Sequence, residues 1–116
     1  MKIDRQEIGT VHVLVPQGAL VDDDAGEFAD VLEKMLTPGD SPGANVRLVL
    51  SLSEVPYLDS RALEALLDCS DALRARSAPL KLAAVSPTCR EIMQLTGLAD
   101  RFQFFEQVQD AVRSFL

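Results

Sequence analysis

The chain is organised around residues 55–67, which read VPYLDSRALEALL. An apolar segment precedes this stretch, and the spacing of the leucines within it predicts an amphipathic helix. The junction between the two carries an acid and a hydroxyl side by side, at Asp59 and Ser60. The first backbone N–H groups of a helix have no partner inside the helix, so either side chain can cap them. A cap explains both residues without a function. The alternative is a regulatory hydroxyl at Ser60.

The helix predicted after this junction has one apolar and one charged face. The positions expected to be buried are Leu63, Leu66, Leu67 and Leu73, flanked by Ala62 and Cys69. The charged positions that fall together on the opposite face are Arg61, Glu64, Asp68 and Asp71. The charged face begins at the junction itself.

The rest of the chain predicts a hairpin followed by alternating helices and strands. Two strands come first, and Pro16 marks the end of the second strand, a bulge or an edge position, because proline has no N–H to donate to a neighbouring strand. Residues 22–24, all aspartate, open a helix, and Asp24 with Glu27 three residues later has the spacing of a capping box. Pro38 and Gly39 are expected to end that helix, before a flexible loop that runs to residue 44. Such alternation predicts parallel strands joined by right-handed crossovers, hence an α/β domain.

The third predicted helix carries a recognisable signal at each end. Ser86 followed by Pro87 is typical of a helix start, because serine caps the N–H groups and proline suits the first helical position. Gly97 is expected to end the same helix in the left-handed conformation. A short strand at residues 102–105 and a terminal helix complete the order.

Length and composition limit the classes of protein to consider. The 116 residues are 47% hydrophobic and 25% charged, which predicts one globular domain over residues 1–116. The formal charge of −7, without a cluster of lysine and arginine, argues against a nucleic-acid partner. We find neither an apolar leader at the N-terminus nor an apolar run of membrane-spanning length. The sequence therefore predicts a cytoplasmic protein without direct membrane insertion.

Motifs for catalysis and for cofactor or metal binding are missing from the sequence. The glycine-rich phosphate loops and the paired histidine or cysteine ligands of metal sites do not occur. His12 lies in the middle of a predicted strand, where we expect a surface or packing role. Cys69 and Cys89 fall on apolar helix stripes, which predicts two reduced core thiols. We therefore predict no enzyme, no catalytic residues, no cofactor and no metal.

Taken together, several segments resemble the STAS family, the fold of bacterial anti-sigma-factor antagonists. The stretch Tyr57-Leu58-Asp59-Ser60 is similar to the family's aromatic/apolar-x-Asp-Ser-Ser-Gly turn. Residues 84–87 (AVSP) resemble its strand-to-Ser-Pro junction, and residues 95–98 (LTGL) with Phe104-Phe105 resemble its small-Gly-Leu segment and last strand. The resemblance spans nearly the whole chain and implies a mixed sheet of four to five strands, with helices mainly on one face.

The resemblance also implies a role in partner switching. In such systems the unmodified antagonist binds an anti-sigma factor that is also a serine kinase, which frees the sigma factor for transcription. Phosphorylation of the serine ends that binding, and a phosphatase restores it. Carried over to this chain, Ser60 is the phospho-acceptor, and the partner-binding surface comprises Tyr57, Asp59, Ser60, Arg61, Glu64 and Asp68.

Two positions depart from the family pattern. Arg61 stands where the family has a second serine, and Ala62 stands where it has glycine. Arg61 has two possible roles, pairing with an acid of the partner or folding back on a phosphate at Ser60. Some STAS domains are not switches, so the alternative function is a non-phosphorylated subunit of an ABC-type lipid transporter or of a multiprotein signalling assembly. A small enzyme ranks far behind both.

Overall fold

A computed structural model describes residues 1–36, 47–74 and 80–115. Within them the elements follow in the order β1 (Lys2–Ile8), β2 (Val11–Gln17), α1 (Asp22–Leu36), β3 (Arg47–Ser51), α2 (Ser60–Arg74), β4 (Lys81–Ala83), α3 (Pro87–Leu95), a short 3₁₀ helix (Ala99–Arg101), β5 (Gln103–Phe105) and α4 (Val108–Arg113). This confirms the predicted α/β order. The expected helix end at Pro38 and Gly39 and the loop up to residue 44 lie outside the described residues.

The described strands form one mixed sheet in the order β1-β2-β3-β4-β5. β1 pairs with β2 antiparallel, and every later pair is parallel. Because the parallel strands are joined through helices, their carboxyl ends lie at one edge of the sheet, and the connections that leave them lie side by side. The junction at Asp59 is one of these connections.

The helices divide unequally between the two faces of the sheet. On one face, Leu14, Leu50 and Leu82 of the central strands pack in the main core with the buried side chains of α1, α2 and α3. On the other face, β-strand residues such as Val49 pack in a smaller cluster with Ala111 and Val112 of α4. The expectation of helices mainly on one face is confirmed.

The sequence allowed a strand end, a bulge or an edge position at Pro16, and the edge position is the one found. β2 continues through Pro16, which pairs with Ile3 of β1, because parallel pairing with β3 already stops at Leu14 and leaves that side of Pro16 without a strand to bond. One local expectation was wrong. Asp24 does not cap α1, because the helix begins two residues earlier. Its carboxylate lies 3.8 Å from the amino group of Met1 instead.

The other helix-end signals are confirmed. The Ser86 hydroxyl accepts a hydrogen bond from the Cys89 N–H at 3.3 Å, with Pro87 as the first helical residue of α3. At the other end, Gly97 has φ +74°, and the N–H groups of Gly97 and Leu98 donate to the carbonyls of Gln94 and Met93. This is the Schellman arrangement that the Gly-Leu pair predicts.

Candidate functional site

The connection from β3 to α2 is joined along its length to the connection from β2 to α1. The N–H of Gly18 donates to the carbonyl of Glu54 at 2.9 Å, and Leu20 N–H donates to Tyr57 at 3.1 Å. The N–H of Asp59 returns a bond to Leu20 at 3.0 Å. The starts of α1 and α2 are therefore held together by backbone hydrogen bonds. The side chain of Leu58 is buried and fixes the turn to the core.

Asp59 links the starts of these two helices through its carboxylate. Oδ1 accepts the N–H of Ala62 at 3.0 Å, which caps α2, and Oδ2 accepts the N–H of Asp22 at 2.9 Å. Asp22 has φ +52°, a left-handed conformation that aspartate tolerates better than most residues. The hydrogen bond from Asp22, then that from Ala62, lowers the pKa of Asp59, and the nearby Arg61 charge adds a smaller effect.

Ser60 is the first residue of α2, and its side chain is exposed. Of the two residues that could cap the helix, Asp59 does so, and the Ser60 hydroxyl makes no hydrogen bond with any other residue in the described ranges. A free hydroxyl at the first position of a helix is accessible to an enzyme. A phosphate attached there would face the positive end of the helix dipole, so the fold tolerates it.

Arg61 extends from α2 towards the start of α1. Its Nη1 atom lies 3.4 Å from the carbonyl oxygen of Asp22, and a Cβ placed on Gly26 would lie 3.8 Å from the same nitrogen. The residue is exposed, and this long hydrogen bond to a neutral acceptor is weak. Both roles that the sequence left open for Arg61 stay predictions. In the structure its side chain links the starts of the two helices.

The remaining predicted site residues surround the same turn. Tyr57 is 51% exposed, one of three large apolar side chains in the described residues that are exposed. Glu64 and Asp68 are also exposed and lie one and two helical turns beyond Ser60. Asp71 on the same helix is different, because its carboxylate pairs with Arg101 at 2.6 Å. We call the predicted set the turn surface: half-buried Asp59 and the exposed residues Tyr57, Ser60, Arg61, Glu64 and Asp68.

Sequence reasoning missed the part of α1 that joins this surface. Asp22 contributes its N–H to Asp59 and its carbonyl to Arg61. From the sequence, the aspartates at 22–24 were interpreted only as the opening of a helix. The available signal was topological, because the connections that follow neighbouring parallel strands meet at one edge of the sheet.

Other candidate groups elsewhere in the described chain have structural roles. Both thiols are free and buried, and burial raises the pKa of Cys69 to about 12 and also raises that of Cys89, as is typical of core cysteines. Within the described residues no cluster of three or more histidine, cysteine or acidic side chains could hold a metal ion. None of the helices in these residues has the length and apolar character needed to span a membrane.

The arrangement of an aspartate cap, a free serine and a mixed sheet agrees with a family-level match. The model of the STAS domain family matches residues 2–111. The chain belongs to the STAS domain family. No curated protein matches the sequence.

Solved structures of STAS domains share the fold. A putative anti-sigma factor antagonist from Thermotoga maritima superimposes with a TM-score of 0.82 at 18% identity, over 97% of this chain and 92% of that one. An anti-sigma factor antagonist from Mycobacterium paratuberculosis gives 0.80 at 25% identity, again over 97% and 92%. The murine Solute Carrier 26 family member A9 anion transporter gives 0.73 at 21% identity, over 93% of this chain and 18% of the transporter. The STAS fold therefore occurs both as a small separate protein and as part of a transporter.

Proposed function

We propose that this STAS protein is a bacterial, cytoplasmic anti-sigma-factor antagonist that regulates transcription by switching partners. In the unmodified state it binds an anti-sigma factor that is also a serine kinase, and phosphorylation of Ser60 ends that binding. The observation that carries the proposal is the free, exposed Ser60 hydroxyl beside an aspartate that already caps the helix. Similarity to the antagonist from Mycobacterium paratuberculosis at 25% identity supports the kind of partner.

The modification transfers the γ-phosphoryl group of ATP to Ser60. A bond forms between Ser60 Oγ and the γ-phosphorus, the bond from that phosphorus to the bridging oxygen of ADP breaks, and a base of the kinase takes the hydroxyl proton. A phosphatase reverses the change when water attacks the phosphorus and the serine oxygen leaves with a proton. The protein itself supplies the position of the hydroxyl and no catalytic group.

The phosphate acts on binding rather than on the fold. It adds about −1.5 to −2 charge at pH 7 to a surface that already carries the carboxylates of Asp59 and Glu64. A partner that covers the turn must remove water from this charge or place its own acids beside it, and both weaken the complex. The helix dipole meanwhile favours the phosphate, so the domain stays folded.

The first test of this proposal is phosphorylation itself. The purified protein is incubated with an extract of the source cells and radiolabelled Mg-ATP, and the modified site is mapped by mass spectrometry. We expect label on Ser60, lost in Ser60→Ala and kept in Ser53→Ala, which removes another exposed serine near the turn. Label that persists in Ser60→Ala would contradict the assignment of this residue.

The second test measures what the added charge does to the complex. Tagged wild-type protein and Ser60→Asp are used in parallel to capture partners from the same cells, with Gln109→Glu as the matched control. That control also adds one negative charge at an exposed position in the first turn of a helix, but on α4 at the other face of the sheet. We expect a kinase-like partner with wild type and the control, and its loss with Ser60→Asp.

The second candidate function is that of a STAS subunit that stays bound to a transporter or a multiprotein assembly without phosphorylation. The occurrence of the fold in an anion transporter supports this candidate. This role predicts that the same membrane-transporter or assembly subunits are captured by wild type and Ser60→Asp. It also predicts that Ser60 carries no phosphate. The two tests above therefore separate the two candidate functions without further variants.

A further inference from the structure

Arg61 is the only basic residue in the two segments that form the turn region. Residues 18–30 and 54–68 contain no lysine and no other arginine. Their acids are Asp22, Asp23, Asp24, Glu27, Asp30, Glu54, Asp59, Glu64 and Asp68. Among the side chains of these two segments, a phosphate on Ser60 would therefore meet one positive charge, that of the adjacent residue, whereas the amino group of Met1 is already paired with Glu27 at 2.8 Å.

The guanidinium of Arg61 is turned towards the start of α1, next to the residues that hold Asp59. It lies at the carbonyl of Asp22, whose own N–H bonds to the Asp59 carboxylate, so it sits beside the residue that precedes Ser60. The contribution of its charge to the lowered pKa of Asp59 agrees with this position. Neighbouring helix residues do not face each other, but the arginine side chain is long and flexible enough to turn its guanidinium to a phosphate on the preceding residue.

The present contact of Arg61 is easily replaced. The hydrogen bond to Asp22 is 3.4 Å long, exposed, and made to a neutral carbonyl. Phosphate oxygens offer charge-assisted and bidentate hydrogen bonds, which are about twice as strong as neutral ones. The carboxylates near Ser60 repel the phosphate. Glu64 does so most directly because it lies four residues along the same helix.

We propose that Arg61 is a phosphate-responsive side chain that sets the size of the switch. When Ser60 is phosphorylated, the guanidinium leaves the Asp22 carbonyl and pairs with the phosphate, which neutralises part of the added charge and releases the contact between α2 and the start of α1. The effect of phosphorylation on partner binding is therefore smaller than it would be without Arg61. This inference deepens the proposed function and rests on phosphorylation of Ser60.

The pairing can be tested without any partner. Phosphoserine is incorporated at position 60 in the wild-type background and with Arg61→Gln, Arg61→Lys or Arg113→Gln, and the second phosphate pKa is measured by ³¹P NMR titration. Arg113 is an exposed arginine on α4, at the other face of the sheet, and serves as the matched control. An ordinary phosphoserine has a second pKa of about 6, and a positive neighbour lowers it.

We expect the phosphate pKa to rise by about 0.5 unit in Arg61→Gln, the size of a surface ion pair. Arg61→Lys should stay close to wild type, since it keeps the charge, and Arg113→Gln should match wild type. Equal pKa values in wild type and Arg61→Gln would overturn the inference, whatever the partner proves to be. A shift of the same size in Arg113→Gln would also overturn the inference, because the shift would then come from the net charge of the protein and not from the position of Arg61.

The consequence for the switch is measured as a ratio of partner affinities, before and after phosphorylation, with the kinase-like protein recovered in the capture experiment. We expect the loss of affinity to be about 2- to 5-fold larger in Arg61→Gln than in wild type. The same loss in both proteins would overturn the role of Arg61 in the switch. Failure of the proposed function is distinguishable, because the phosphate pKa would still respond to Arg61 while no partner lost affinity on phosphorylation.

Discussion

Two connections in this protein have the same design and opposite consequences for a serine. Each leads from a parallel strand into a helix, and in each a side-chain oxygen accepts the N–H of the residue three positions later. Asp59 caps α2 through Ala62 at 3.0 Å, and Ser86 caps α3 through Cys89 at 3.3 Å. The hydroxyl of Ser86 also donates to the carbonyl of Val55 at 3.1 Å.

The two connections differ in where the serine stands relative to the capping residue: at the cap in one, and one position after it in the other. Ser86 is the cap, so its hydroxyl is engaged both as donor and as acceptor and has a structural role. Ser60 follows an aspartate that caps in its place, so its hydroxyl is left exposed. An acid at the cap therefore leaves the hydroxyl of the next serine without a role in holding the helix start.

The largest effect tests whether the helix that carries Ser60 is firmly packed. Leu66 of α2 is fully buried in the main core, and Leu66→Ala should lower the free energy of unfolding by about 2–5 kcal/mol. Leu95→Ala on α3 is the control, because that side chain is 79% exposed and should change it by less than about 0.5 kcal/mol. Urea denaturation measures both. Equal stability of the two variants would show that α2 is not anchored through this face.

A smaller effect tests the difference between the two serines directly. Ser86→Ala removes a cap and should cost about 1 kcal/mol of stability. Ser60→Ala removes a hydroxyl without a partner in the described residues and should stay within about 0.5 kcal/mol of wild type. Both variants are compared by thermal unfolding. A larger loss of stability in Ser60→Ala than in Ser86→Ala would show that the Ser60 hydroxyl has a structural role.

The smallest effect concerns the charge of Asp59. Its pKa is lower in the folded protein than the unfolded value of about 3.9, so the charged form stabilises the fold above that pH. This contribution is lost as the pH falls through the lower folded pKa. Asp59→Asn keeps an acceptor oxygen but has no charge, so the stability difference from wild type should be present at pH 6 and shrink below about pH 4. A difference independent of pH would show that the charge of Asp59 does not matter.

Local patterns were enough to predict most of the elements. The leucine spacing after Asp59 placed Leu63, Leu66 and Leu73 correctly in the core, because helical periodicity requires no knowledge of what the helix packs against. The Ser86-Pro87 start and the Gly97 end also depend on backbone groups a few residues away. Those predictions were therefore confirmed, whereas the sequence left open a strand end, a bulge or an edge position at Pro16, since the choice depends on the length of the pairing with β3.

The sequence by itself determined the order of the elements, the buried face of α2 and the presence of an Asp-Ser pair at its start. Only the tertiary structure decided which of the two residues caps the helix, where Arg61 points, and that Asp22 belongs to the site. The physical reason is distance along the chain. The hydrogen bonds of Asp59 and Arg61 to Asp22 join residues 37 and 39 positions apart, and such contacts exist only after the strands have paired.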